Sequence, residues 1–468
     1  MRTVTRVPAV YVRTGIRRFD GNAFIEALPP LPETKETLLL QLSNYPDKPT
    51  PKLRLASEIV RTMELSTLSD VVYPIPEYRQ SALDLAKILR ESYVARNPLN
   101  ATDIQRRHAL ATNCADGLPF PSDWKSSAQG HLLMGITGMG KSTFCNAFFL
   151  RYPQLIEHSA YGDRPLMVRQ IVYIVLRVPH DATLRSLCVQ FFEEIDRILG
   201  DTKYRKAAES VRTIALMVQL MHTVATAVSL GIVVIDDVQN LRAAKGATAE
   251  FVLNLFSEIV ERLGISLFLM ATPAIDKVLI NVVRNTRKSA SSGCVALVPM
   301  ARNSPEWKEF CETKWDYMYV KHKKRLTDGI RNAWHDASAG DTAFAVLSYM
   351  LTQQNAIGGA EVVDEAGFRR TMATDMAILQ PAIAALRTRN LAKLQRFDDL
   401  LWGKAYWDLM KQLKVGPPEQ STVEDEFDEL LAAHDADQQR PASPKGREKT
   451  AKTDEPDFPV ERPLLKYE

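Results

Sequence analysis

The stretch GITGMGKST, Gly135 to Thr143, constrains this chain more than any other. Its order is a glycine, four residues, then Gly140-Lys141-Ser142, the spacing of a phosphate-binding loop. Each residue type has a physical task. Glycines let backbone N–H groups turn inward around phosphate oxygens. Lys141 supplies a point charge for the β- and γ-phosphates. The Ser142 hydroxyl suits Mg²⁺, and a helix starting here aims its positive end at the anion. The expected nucleotide contacts are Gly135, Thr137, Gly138, Met139, Gly140, Lys141, Ser142 and Thr143. A loop of this kind joins a strand to a helix, and the flanking sequence agrees. GHLLMGIT is an apolar run before it, and KSTFCNAFFLRYP has apolar residues at helical spacing, ending near Pro153.

Such a loop needs an acidic strand end nearby. GIVVIDD (231–237) provides four apolar residues and then Asp236 and Asp237. Adjacent carboxylates at the end of a buried strand are costly without a cation. Asp236 is the expected Mg²⁺ partner with Ser142, and Asp237 the group that orients and polarises the attacking water. ISLFLMAT (265–272) ends in Thr272 before Pro273, where a hydroxyl either senses the γ-phosphate or caps the next helix. Farther on, Arg284 and Arg287 share a helical face. They read either as candidates for a finger reaching a neighbouring subunit's γ-phosphate or as a solvated basic face.

The remaining chain sorts into segments. Residues 1–70 are rich in proline and read as an extended, partly ordered arm with one small helix at 35–42. Residues 71–127 form a helical segment whose main helix starts at Pro76 and closes at Asn97-Pro98. Residues 128–303 alternate strands and amphipathic helices, with QIVYIVLRV (170–178) as a further strand, so the class is α/β with a parallel sheet between helices. Residues 304–415 are helical, a lid. Residues 416–468 read as an acidic, mostly disordered tail in which Phe427, Leu430 and Leu431 stand at helical spacing, either a short partner-binding helix or solvated. A net charge of +3 names no partner. The five cysteines have no ligand spacing, and no run is long enough to span a bilayer, so a cytoplasmic protein without a membrane partner is expected.

Together these marks resemble an AAA+ ATPase: a P-loop NTPase core with an N-terminal extension and a C-terminal helical lid. The resemblance narrows to the TnsC family of ATP-dependent regulators of DNA transposition. ESYVARNPLN (91–100) looks like that family's GYxxRNP segment. LRVPHDATLRSLCVQFFEEIDRILGD (176–201) is similar to its second strand, turn and helix. IDDVQNL and FVLNLFSEIVERLGISLFLMATPA resemble its acidic strand, helix and sensor strand. LTDGIRNAW and the segment from Thr342 to Asn390 are similar to its helical end.

The resemblance covers roughly 70–390 and implies a switch. ATP and Mg²⁺ are the implied cofactors, with Arg96 and Pro98 added to the nucleotide contacts. The implied homo-oligomer is a ring or filament on double-stranded DNA that reads no bases. It would link a target-selector protein of the TnsD/TniQ kind to transposase subunits and dissolve on hydrolysis. Arg177, Thr183 and Arg185 lie around the turn that faces the pore in many AAA+ rings and are the candidate DNA contacts. The basic run YVKHKKRLTDGIR (319–331) is a further candidate, or a solvated face.

Two departures matter. LTDGIRNAWHDASAGDTAFAV carries extra residues relative to the family, which points to a longer lid loop. The family also has Asp-Glu where this chain has Asp236-Asp237. The shorter side chain sets the carboxylate back, and a displacement of about 1 Å costs on the order of a hundredfold in rate. Slow hydrolysis is therefore expected. Asp237→Glu should raise phosphate release from the assembled protein, and an unchanged rate would contradict this account of Asp237.

Overall fold

Three apolar runs become neighbouring buried strands. The computed structural model describes residues 4–111, 120–244, 248–275 and 291–388. All of them belong to the unit Met1–Glu419; the second unit, Gln420–Glu468, lies outside them, and the acidic segment with it. The strands are β1 (Arg6–Pro8), β2 (Gly130–Gly135), β3 (Leu155–Tyr161), β4 (Arg164–Ile171), β5 (Tyr173–Arg177), β6 (Ile232–Asp236), β7 (Ser266–Ala271) and β8 (Cys294–Leu297). The central sheet has the order β5-β6-β7-β2-β8. Every pairing in it is parallel. Every residue of β2, β6 and β7 is buried, as a parallel sheet covered on both faces requires. In this register Arg177 stands opposite Asp236, so β5 and β6 end level with each other.

The run 170–178 is two strands, not the single strand its composition suggests. Residues up to Ile171 finish β4, which pairs antiparallel with β3, and Tyr173 begins β5. The Val172 amide turns to the Gln154 carbonyl between them. A continuous apolar run shows no break where its hydrogen-bond partner changes. The strand β8 was not anticipated; four residues are too few to show a period.

The N-terminal residues are packed, not extended. Short helices cover Ala23–Glu26, Lys35–Leu40, Pro51–Arg54, Glu58–Glu64 and Thr67–Asp70, the first four of them with side-chain caps. Phe24, Ile25, Leu42 and Leu68 are fully buried, and β1 pairs with β3. Such pieces are held by caps and burial, since one or two helical turns show no amphipathic period. The anticipated long helix is Pro76–Val94, and Ser266 Oγ donates to its Ile88 carbonyl from β7.

The lid contains helices Pro305–Trp315, Asp328–Asp336, Thr342–Ala356, Glu365–Ala373 and Gln380–Thr388. Its centre is aromatic: the Trp334 ring lies 4.6 Å from Tyr349 and 5.4 Å from Phe368. The extra lid residues form a helix and a tight turn at 337–341 instead of a long loop. The basic run at 319–331 is largely paired: Lys321 with Glu361, Lys323 with Asp316, Lys324 with Asp364 and Arg331 with Asp328.

A buried ion pair ties the N-terminal segment to the lid. Both Arg61 terminal nitrogens donate to Glu361, at 2.6 and 2.7 Å, and Arg61 also donates to the Tyr319 carbonyl. Arg61 is 0% exposed. Arg61 foremost, with the Gly358 and Lys321 amides, holds the Glu361 carboxyl far below its ordinary value of 4.5. A depressed carboxylate stabilises the fold above its unfolded-state pKa and loses that contribution as pH falls. Glu361→Ala strands a buried guanidinium and should cost about 3–5 kcal/mol in denaturant unfolding at neutral pH. The difference from wild type should shrink as pH drops below that ordinary value; equal stability at neutral pH would refute the assignment.

Candidate nucleotide-binding site

Glycine conformation shapes the loop after β2. Gly138 and Gly140 have φ of +95° and +83°, which side chains rarely adopt. Gly140 precedes the helix Lys141–Phe149, whose N-terminus has no side-chain cap. Its first N–H groups therefore remain for an anion. Met139 is fully buried beneath the loop, while Thr137, Ser142 and Thr143 are exposed above it. Lys141 Nζ donates to the carbonyls of Gly135 and Ile136, at 2.7 and 3.1 Å, so its charge sits at the mouth.

The tips of the neighbouring strands bring in the other groups. Ser142 Oγ donates to Asp236 Oδ2 at 3.4 Å. Burial, then the neighbouring Asp237, raises the Asp236 carboxyl above its ordinary value. Asp237 turns the chain through a left-handed conformation, φ +53°, which aspartate tolerates better than most residues. Gln239 joins the next two tips: its amide nitrogen donates to Asp237 Oδ1 at 3.0 Å and its oxygen accepts from the Thr272 amide at 3.1 Å. The Thr272 hydroxyl is buried without a hydrogen-bond partner. It does not cap the short helix Pro273–Ile275, so it is available as a sensor would require. A hydroxyl and two carboxylates beside a phosphate loop fit a hard divalent cation completed by phosphate oxygens and water. Ser142 and Asp236 are the residues that would hold it.

Residues 125–279 match the protein family described as AAA domain. The core is an AAA+ P-loop domain. No curated protein matches the chain. Among solved structures it is similar to the ORC1 protein of Aeropyrum pernix, solved in complex with DNA, at 14% identity over 72% of this chain and 84% of that one, TM-score 0.35. It is similar to a Walker-type ATPase of Pyrococcus abyssi at 13% identity over 64% and 83%, TM-score 0.38. The RuvB Holliday junction branch migration motor of Thermotoga maritima is a third, at 14% identity over 72% and 89%, TM-score 0.32.

The AAA+ loop is gripped from two sides by residues the sequence did not mark. Tyr78, on the helix before the core, donates its hydroxyl to the Gly140 carbonyl at 2.9 Å. From the lid, the Thr342 hydroxyl and the Ala343 amide both donate to the Gly138 carbonyl, at 2.6 and 3.2 Å. Asp341 caps that lid helix and is wholly buried against Gly138. Burial pushes its carboxyl up to about 7, and its Oδ2 has no hydrogen-bond partner. Beside these contacts lies a cleft of about 380 Å³, lined by Tyr73, Tyr78, Gly140, Thr143, Phe310 and Thr342. Its aromatic and apolar walls next to the phosphate loop suit a nucleobase. A larger cavity, about 1100 Å³, lies between the helices that carry Arg185, Leu216 and Phe251. It contains no loop residue and is not the nucleotide site.

Other sequence candidates fall elsewhere. Arg96 is a correction. Its guanidinium is buried and donates to the Ser92 and Leu230 carbonyls, at 2.6 and 2.7 Å. Leu230 precedes β6, whereas Asp236 ends it, so Arg96 sits at the opposite end of the parallel strands from the phosphate loop. Burial lowers its pKa to about 9. Pro98, two residues on, is buried. Arg96 supports the fold, where the resemblance implied nucleotide contact. Arg177 pairs with the acidic strand end, Asp237 at 2.9 Å. Thr183 caps the helix Leu184–Leu199, and Arg185 is exposed on its first turn. Arg284 and Arg287 lie outside the described residues.

The grip on the loop is testable. A Cβ at Gly138 would stand 2.4 Å from Asp341 Oδ1, in a backbone conformation that disfavours side chains. Gly138→Ala should weaken binding of a fluorescent ATP analogue by about tenfold or more, whereas Tyr78→Phe removes one hydrogen bond of about 1 kcal/mol. Wild-type affinity in Gly138→Ala would mean that the lid contact is dispensable.

Proposed function

We propose that this chain is an ATP-dependent switch that assembles on double-stranded DNA and regulates transposition. The observation that carries the nucleotide part is the Ser142–Asp236 contact beside the uncapped loop helix. ATP is the proposed ligand, with Mg²⁺ at Ser142 and Asp236. The metal supplies charge neutralisation for the transferring phosphoryl group. Lys141 binds the phosphates, Asp237 orients water, and Thr272 presents its free hydroxyl to the γ-phosphate. The cleft walls hold the base.

The transposition part rests on the TnsC resemblance over residues 70–390. It brings with it a homo-oligomer, transposase subunits and a target selector as partners. In that reading Arg284 or Arg287 reaches a neighbour's nucleotide, and Arg185 and Arg177 contact DNA phosphates. A second reading, a DNA-bound scaffold that scarcely hydrolyses, is favoured by the state of Asp237. Its two oxygens already engage Gln239 and Arg177.

Electron microscopy of the full chain with double-stranded DNA decides between assembly and its absence. Rings or filaments are expected with ATP, and none with ADP or with Lys141→Ala. Phosphate release on the same samples separates the switch from the scaffold. Failure to assemble under every nucleotide condition would remove the transposition reading and leave a nucleotide-binding AAA+ protein.

A further inference from the structure

The cavity of about 1100 Å³ has no part in the nucleotide site. The helices Leu184–Leu199, Ile214–Ala227 and Thr248–Glu261 wall it. Helix Ile214–Ala227 carries no charged residue on any face, the composition of a helix covered all round. Yet Ile214 and Leu216 are 46% and 54% exposed along the cavity, and Phe251, on another wall, is 58% exposed. His222 is buried and lines the same space, and its Nε2 has no hydrogen-bond partner. Glu258 stands 3.6 Å from that nitrogen, beyond hydrogen-bonding distance. A buried polar atom left unpaired is costly until a partner arrives. Arg185, on the first turn of Leu184–Leu199, and Arg262, just past Glu261, bring two guanidinium groups to the cavity. Neither makes an ion pair among the described residues. Asp181 is turned into its own loop, where it accepts from the Thr183 and Ser186 hydroxyls.

The sequence holds a segment of the complementary kind. VEDEFDELLAAHDAD, 423–437, spaces Phe427, Leu430 and Leu431 three and four apart. It has seven carboxylates and no lysine or arginine. We propose that the cavity is the docking site for this acidic segment of a second copy of the chain. Phe427, Leu430 and Leu431 enter among Ile214, Leu216 and Phe251, as an amphipathic helix lays its apolar face in a groove. The flanking carboxylates meet Arg185 and Arg262, a charge-assisted pairing that guanidinium groups favour. Three anchors and exposed ion pairs make a weak, reversible contact. The cavity holds no residue of the phosphate loop, so this link between copies needs no nucleotide. Arg185, proposed above to meet DNA phosphates, is open to the segment when no DNA is bound, and the test is therefore made without DNA.

The test uses full-length chains without nucleotide. One variant, Phe427→Asp with Leu430→Asp, has a spoiled segment and an intact cavity. Another, Phe251→Asp, has the reverse, and the exposure of Phe251 lets it fold. A fluorescent peptide of residues 421–437 should bind the segment variant saturably. Adding Phe251→Asp to that chain should weaken binding about tenfold or more, the loss of one apolar contact and its replacement by a like charge. Adding Arg262→Glu instead should weaken it about fivefold or more and make it less sensitive to salt. In sedimentation, wild type should associate as its concentration rises, and each variant alone should do so less. Mixing the segment variant with Phe251→Asp should restore one-to-one pairs, since one brings the cavity and the other the segment. A peptide that fails to bind, or that binds equally well after Phe251→Asp, would overturn the assignment of the cavity. Peptide binding with no association in wild type or in the mixture would place the segment on its own chain and overturn the second copy. Either failure leaves the ATPase reading untouched, because neither readout involves nucleotide.

Discussion

Two carboxylates on consecutive residues at the end of a buried strand need positive charge close by, and much of this molecule answers that need. The strand β6 delivers Asp236 and Asp237 to the C-terminal end of the parallel strands. There the phosphate loop supplies Lys141 and an open helix end, and the edge strand supplies Arg177. Burial without such partners would cost far more than a marginal fold can bear. The same electrostatic need makes the place suitable for a metal-bound triphosphate. Burial first, and repulsion from Asp237 second, raise the Asp236 carboxyl, and a cation at this place offsets both.

The loop itself is not an isolated motif. Its two left-handed glycines present their carbonyls outward, and two different parts of the chain hold them. Tyr78 takes the Gly140 carbonyl, and the first turn of a lid helix takes the Gly138 carbonyl. Lys314 reinforces the joint: its buried ammonium donates to the Leu68 and Val71 carbonyls, and burial pushes its pKa down to about 7. Lid, core and N-terminal segment therefore meet at the phosphate site.

How much of this was readable in the sequence follows from the kind of signal each part leaves. The central strands and the loop were readable because burial on both faces demands unbroken apolar runs and because glycine spacing is chemically specific. The division between β4 and β5 was hidden inside one such run. The N-terminal pieces are shorter than a helical period can reveal, so a proline-rich stretch reads as an extended, partly ordered arm with one small helix. Tyr78, Asp341 and Thr342 were invisible for another reason. They act on the loop from more than sixty positions away on one side and about two hundred on the other, and single-chain spacing carries no record of such approaches. Arg96 misleads in the opposite sense, since a residue marked by a family motif braces the far end of the central strands.

The N-terminal segment also has a mechanical meaning. Arg61 is clamped into the lid through Glu361, and Tyr78, a short distance along the chain, rests on the phosphate loop. Between them runs a single short piece of polypeptide with prolines at 74 and 76, which limit its give. The lid is thus joined to the loop twice, directly through Thr342 and indirectly through this strut. Lid and loop share two sets of hydrogen bonds, one made directly and one through the N-terminal segment.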